Sequence, residues 1–359
     1  MDLSEWVEQE ESTKAVVKGD KVKLSARSGD PRTLLVEAGL DPAEWQIEEI
    51  EYGSKGTNVT ATPRIVRGPV LSHTLQIIRA VKDPSPKTII VSDHQIPKHD
   101  RTFHRLFLAY LALVKPWRLG ILGDALDNAS TSRHLDAAVR ESLSETITEG
   151  HAVFADYREA CGSETEMWYI PGNHEHNLTK TLLSKVPMLF GVRAWGAKYP
   201  AMSIPGLLGL EELDIEWIGD LDANEYPLAR VEVAPNCFAY HGWNARKMPG
   251  ASALSAIEHV DYSFIQGHTH RLATVRKTIH TADGLRILYA VENGTMCQII
   301  GGLGWTNNPD WQNGFTEITH VGDDYHISQI AWNGGPLIAP PYCIWEEDGE
   351  ICYSVLHDN

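Results

Sequence analysis

The stretch Lys87-Thr-Ile-Ile-Val-Ser-Asp-His-Gln-Ile-Pro-Lys-His-Asp100 decides how this chain is read. Lys87 to Val91 is a short β-branched run with Pro84 and Pro86 before it and Pro97 after it, the pattern of a buried central strand. Asp93 falls where that strand runs out, at the end where open α/β sheets place their ligands. A carboxylate there, alone, means little. Four later clusters repeat the arrangement of an apolar run followed by Gly, Asp, Asn or His: Ile121-Leu-Gly-Asp-Ala-Leu-Asp127, Tyr169-Ile-Pro-Gly-Asn-His-Glu175, Phe238-Ala-Tyr-His-Gly242 and Phe264-Ile-Gln-Gly-His-Thr-His270. Strand ends that each deliver a hard or borderline ligand describe a metal site assembled from across the chain.

Outward from that strand the pattern alternates strand and helix. Asp100 to about Val114 carries Phe103, Leu106, Phe107, Tyr110 and Leu111 at helical spacing, Trp117 to Leu122 is a second strand, residues 133 to 161 form a long helix, and Met167 to Ile170 is a third strand. This order predicts a mostly parallel sheet. Residues 178 to 210 mix helical stretches with Trp, Pro and Gly. Strand-like pieces follow at Ile215–Ile218, Ala229–Val233, Cys237–Tyr240, Tyr262–Ile265, Ala273–His280 and Leu285–Val291, with hairpin turns at Asp283-Gly284 and Asp348-Gly349. Residues 1 to 70 carry none of the motifs and no basic cluster, and read as an arm or small appended module. Within them Asp30 to Gly39 has the caps of a short helix. The core is expected over 71–335, with 336–359 as a C-terminal tail.

The bulk composition narrows the function. A net charge of −17 argues against binding long nucleic acid through the general field of the molecule, though not against a local basic groove. The cysteines (161, 237, 297, 343 and 352) are scattered with no CxxC, so a disulfide framework or cysteine zinc site is not expected and a reducing compartment fits. The N-terminus is acidic without an apolar signal core, and no apolar run is long enough to span a bilayer. The expectation is a cytoplasmic protein without membrane partners.

With Asp93-x-Gln95, Gly123-Asp124-x-x-Asp127, Gly172-Asn173-His174-Glu175, His241-Gly242 and Gly267-His268-x-His270 in this order, the chain resembles the calcineurin-like metallophosphoesterases, and within them the bacteriophage-encoded, DNA-repair-exonuclease-like members. The match runs over roughly residues 87 to 320. The resemblance implies a four-layer α-β-β-α sandwich of two mixed sheets, and host cytoplasm as the location if the chain is phage-encoded. It also implies two divalent cations about 3.5–4 Å apart that clamp a phosphoester and activate water for in-line attack. Mn²⁺ is the favoured metal, with Mg²⁺, Zn²⁺ or Fe as alternatives. Asp124 bridges; one metal takes Asp93, Gln95, Asp124 and His270, the other Asp124, Asn173, His241 and His268. If the segment stays extended, His268 and His270, two apart, share one face and serve both metals.

Gln95 departs from the family pattern, which has histidine there. His94 is one place early and should face away, so Gln95 either offers its amide oxygen, directly or through water, or stands behind the ligands. A neutral oxygen makes that metal site harder and weaker, favouring Mn²⁺ or Mg²⁺. The family role of His174 is to contact substrate and protonate the leaving oxygen or steady the charge developing on it, with Asp127 as its orienting partner; as an acid that starts a helix, Asp127 is also a candidate N-cap. Arg246, Arg271 and His176 lie near the motifs and are candidate substrate contacts. Trp195 and Trp243 suit base stacking, but buried packing is the expected role for both. The implied function is hydrolysis of phosphodiesters in nucleic acid or nucleotides. The alternatives are a phosphomonoesterase, protein phosphatases included, or a catalytically silent scaffold on the same fold.

Overall fold

A computed structural model describes residues 14–18, 21–26, 35, 45–53, 56–63, 66–67, 85–128, 142–219, 226, 228–282, 284–301, 303 and 309–356. The chain divides into two compact units, residues 1–70 with Cys352–Ser354, and residues 71–351 with 355–359. The first holds an antiparallel sheet of Lys14–Lys18 (β1), Lys21–Ala26 (β2), Trp45–Gly53 (β3) and Gly56–Pro63 (β4) in the order β1-β2-β4-β3, followed by the short strand Val66–Arg67 (β5). Leu24 and Val59, paired across β2 and β4, are both buried. The expected helix from Asp30 to Gly39 falls outside the described residues apart from Leu35.

The second unit is built on two sheets. Lys87–Val91 (β6), Arg118–Ile121 (β7), Glu166–Tyr169 (β8) and Ile215–Trp217 (β9) run parallel in that order. The five-stranded sheet joins Val231–Ala234 (β10), Cys237–Tyr240 (β11), Ser263–Gln266 (β12), Leu272–Thr281 (β13) and Gly284–Asn293 (β14) in the order β10-β11-β12-β14-β13, with β11, β12 and β14 parallel. Asn313–Val321 (β15) and Asp324–Trp332 (β16), a hairpin absent from the sequence reading, add antiparallel to the free edge of β6 and make β6 central. β6 is accordingly buried along its whole length. The C-terminal strands are Leu337–Ala339 (β17), Tyr342–Glu347 (β18) and Glu350–Val355 (β19), with Asp348 and Gly349 both left-handed between the last two.

Arg101–Val114 (α1) and Leu143–Cys161 (α2) follow β6 and β7. Asp100 caps α1 by accepting the amides of Thr102 and Phe103, and the expected apolar positions Phe103, Leu106, Phe107, Tyr110 and Leu111 are all buried. Phe107 meets Phe315 of β15 at 4.8 Å between ring centroids, and Phe154 of α2 meets Tyr169 of β8 at 5.5 Å. Each such ring contributes roughly 1.5–3 kcal/mol by leaving water. Of the predicted helix over 133–161, residues 133–141 lie outside the described residues. Asn173–Lys185 (α3) follows β8, Ile204–Leu207 (α4) is a single turn, and Ala251–Ile257 (α5) follows β11.

The two sheets face each other through Ile90, Leu122 and Trp168 from one and Ala239, Ile265 and Val291 from the other. On β12 the alternation is visible: Ile265 enters this core, while its neighbour Phe264 packs outward with Ala253 and Ile257 of α5. The layers are therefore helix, sheet, sheet, helix, the four-layer sandwich of two mixed sheets that the motifs imply. No helix among the described residues is long and apolar enough to cross a membrane.

Candidate metal centre

Each motif sits just past the carboxyl end of a parallel strand: Asp93 after β6, Asp124 after β7, Asn173 after β8, His241 after β11, and His268 with His270 after β12. The backbone turns sharply there. Asp93, Gln95, Asp124, His268 and His270 all have positive φ, between 47° and 67°. Non-glycine residues rarely adopt that region, and such conformations persist where the surroundings impose them, often at functional sites. The segment from His268 to His270 is thus not extended as expected; two left-handed residues around the Thr269-to-Gly267 turn aim the imidazoles.

Glycines let the loops close. A β-carbon on Gly172 would lie 2.3 Å from Oδ1 of Asp124, and one on Gly267 would lie 2.9 Å from Oδ2 of Asp93. In the space so made, the amide of His268 donates to both oxygens of Asp93 (3.1 and 2.9 Å), and the amide of His174 donates to Asp124 Oδ1 at 2.9 Å.

The side chains form two groups. Asp124, His241 and His268 bring ligand atoms within 4.8 Å of one another. His241 holds its Nδ1 on the carbonyl of Leu122 at 2.5 Å, which turns Nε2 toward Asp124 Oδ2 and Asn173 Oδ1, each at 3.3 Å. In the second group His270 Nε2 lies 3.3 Å from Asp93 Oδ1. Gln95 is 1% exposed, and its Oε1 is buried without a hydrogen-bond partner. An unmatched buried oxygen of this kind is rare in protein interiors.

The electrostatics suit cations. Burial lowers His241, but Asp124 and its hydrogen bond outweigh this and hold the imidazole up to about 9. For His270, burial is outweighed by Asp93, which raises the imidazole to about 10. Burial and the neighbouring His241 push His268 down to about 4, so it stands neutral with its lone pair available. Asp124 is held well below the usual carboxylate range, since His241, His174 and His268 together overcome the upward push of burial. Protons on His241 and His270 stand where a metal's positive charge would stand, and a metal would displace them.

His174 is placed differently. Its side chain is 19% exposed, its Nδ1 donates to the carbonyl of Asp127, and its Nε2 lies 3.8 Å from Asp124 Oδ2. The Asp127 carboxylate is 3.5 Å from Nδ1 and takes the Lys98 ammonium at 2.6 Å. Orientation of His174 therefore comes first from the main chain of Asp127 and only second from its carboxylate. Burial opposes protonation of His174, but Asp124 and the Asp127 carbonyl outweigh it, so its pKa is raised.

His94 faces away, as expected, and its Nε2 meets the Tyr157 hydroxyl of α2 at 2.8 Å. The candidate cations are engaged by the protein: Arg271 donates to the carbonyls of Asp310 (3.0 Å) and Arg246 (2.8 Å), and Arg246 donates to Ser255 Oγ at 2.8 Å. His176 is buried, with its ring 6.0 Å from Tyr226. Trp195 and Trp243 are exposed, not packed inside as expected, with Trp243 lying over Tyr240 at 6.0 Å.

Two buried carboxylates supply order that the sequence reading did not assign. Glu175 accepts the amides of Asp124 (2.8 Å), Leu126 (3.2 Å) and Gly172 (2.7 Å) and the hydroxyl of Tyr169 (2.6 Å). Glu292 accepts the amides of Gly250, Ser252 and Ala253 and the hydroxyl of Thr269, which ties α5 to the His268–His270 turn. For Glu175 the signal was present, an acid three residues into a helix opening at Gly172; for Glu292 there was none. Glu175→Ala strands several buried donors and is expected to cost about 3–5 kcal/mol of folding stability. Urea unfolding of the metal-free chain measures this, and a loss under about 1 kcal/mol would mean that water takes over the role.

No family profile matches the chain. A curated relative, the Gene 54 protein of Mycobacterium phage L5, is 20% identical over 262 residues, which covers 70% of this chain and 95% of that protein. Among solved structures, Chaetomium thermophilum Vps29 matches with 10% identity and a TM-score of 0.33, over 75% of this chain and 96% of that one. Pseudomonas putida nuclease MPE matches with 16% identity and a TM-score of 0.29, over 67% and 87%. Entamoeba histolytica Vps29 complexed with Zn²⁺ matches with 12% identity and a TM-score of 0.28, over 69% and 99%.

Proposed function

We propose that this chain, which resembles the calcineurin-like metallophosphoesterases in layer order and in its five motifs apart from Gln95, is a dinuclear-metal-dependent phosphodiesterase acting on nucleic acid or nucleotides. The observation that supports this most is the meeting of Asp124, Asn173, His241 and His268 in one group and Asp93 with His270 in a second, beside His174, whose pKa is raised. The donor set fits two divalent cations: carboxylates and amide oxygens for a hard ion, with imidazoles of which His241 has its tautomer set by the Leu122 carbonyl behind it. Asp93, Gln95 and His270 would hold one, and Asn173, His241 and His268 the other, with Asp124 between. Bound there, the cations would polarise the phosphoryl oxygens and supply an activated water.

The chain's own residues do the rest. Asp124 would offset the repulsion between the cations, and Glu175 keeps the Asp124 loop pinned to the Gly172 loop. His174, held by the Asp127 carbonyl, presents Nε2 on the Asp124 side and gives its proton to the departing oxygen. The direct test is hydrolysis of bis-p-nitrophenyl phosphate by chelated protein with Mn²⁺, Mg²⁺ or Zn²⁺ restored singly. Rescue by Mn²⁺ is expected. Activity confined to the monoester would move the reading to a phosphatase, and silence on both substrates with every metal would remove catalysis.

Gln95 sets the strength of the first position. Gln95→His replaces an oxygen with an imidazole and is expected to tighten that metal by about tenfold or more, read by calorimetric titration of the chelated protein. Unchanged affinity would place Gln95 behind the ligands.

A further inference from the structure

A groove adjoins the metal centre on the side of α3, and no motif accounts for it. Its walls include Trp217, Tyr226, Phe190, Met202, His176 and Thr179. Glu175 also lines it, and Glu175 takes the amide of Asp124 at 2.8 Å, so groove and centre share a wall. Tyr226 links them again: its ring lies 6.0 Å from that of His176 and 5.8 Å from that of the candidate ligand His241, and its hydroxyl donates to the Gly242 carbonyl at 2.7 Å.

The groove's chemistry is that of a flat, edge-polar ligand. Trp217, Tyr226 and Phe190 are only half-buried, so aromatic surface lines the groove beside a polar site. Thr179 and His176 add polar side chains to the same walls, the counterpart of a base's polar edge. The spacing also suits: from Asn173 to Thr179 the helix advances roughly 9 Å, comparable to the reach from phosphate to base within one nucleotide.

We propose that this groove is a nucleobase subsite, which seats the base of a nucleotide or nucleic-acid substrate while its phosphate lies at the metal centre. The proposal rests on the phosphoesterase reading of that centre and narrows its substrate class. Base stacking on aromatic walls tolerates different bases, so the subsite favours nucleotides over other phosphoesters without strong preference among bases.

The test is calorimetric binding of thymidine 5′-monophosphate, adenosine 5′-monophosphate and methyl phosphate to the full chain supplied with Mn²⁺. At least one nucleotide is expected to bind about tenfold tighter than methyl phosphate. Thr179→Trp, which fills the groove, and Phe190→Ala, which removes a wall, are each expected to shrink that ratio, with folding checked by circular dichroism. Equal binding of nucleotides and methyl phosphate overturns the proposal, as does a ratio that survives in a folded variant. Binding and turnover separate the two readings. A nucleotide preference without hydrolysis of bis-p-nitrophenyl phosphate removes catalysis and keeps the subsite, whereas hydrolysis without the preference removes the subsite alone.

Discussion

Asp124→Asn is expected to lower hydrolysis on the order of 1,000-fold or more and to reduce the bound metal. The change is nearly isosteric, and the amide oxygen can still accept the His174 N–H now held at 2.9 Å, so the fold should survive. What goes is the charge. Asp124 is 2% exposed, and its carboxylate stays ionised against burial because His241, His174 and His268 surround it. The reverse also holds: Asp124 is the main group that lifts His241 to about 9 against burial. A neutral amide would leave two cations facing each other without the anion between them, and their repulsion across a short distance in a buried site is large. Metal analysis after dialysis, together with turnover of bis-p-nitrophenyl phosphate, measures both effects. An active, fully loaded variant would remove the bridging role.

His174→Ala is expected to lower turnover by roughly 100- to 10,000-fold while both metals stay bound. His174 does not belong to the Asp124–His241–His268 group and is the more open imidazole, 19% exposed against 1% for His241. Its raised pKa comes from Asp124 and the Asp127 carbonyl acting against burial, which favours the acid form. Activity that depends on this proton falls as pH rises through the raised value, and the variant should lack that alkaline limb. The loss should also depend on the leaving group, small for p-nitrophenolate and large for an alcohol that needs its proton. Metal loss on substitution would instead make His174 a ligand. A uniform loss across leaving groups would leave it a contact without acid function.

These roles were unequally legible. The strand ends could be read because each motif is local: an apolar run, a glycine for the tight approach, then a ligand, all within a few residues. Gly172 and Gly267 show why the glycines belong there, since a side chain at either would strike Asp124 or Asp93. The bend through His268 and His270 was not readable. Positive φ at two histidines is imposed by neighbours, among them the Asp93 carboxylate on the His268 amide and Glu292 on Thr269.

The order of candidate ligand types along the chain, their placement after apolar runs and the amphipathic face of α1 were determined by the sequence by itself, because strand and helix periods are short-range properties. Only the tertiary structure decided what stands behind the candidate ligands. β15 pairs with β6 from more than 200 residues away. Glu175 serves a loop some 50 residues upstream, and His174 is steadied by the Asp127 main chain more closely than by its carboxylate. The exposed Trp195 and Trp243 and the aromatic groove beside α3 belong to the same class. A buried donor takes whichever acceptor the packing brings within reach, and that partner leaves no periodic trace in the chain.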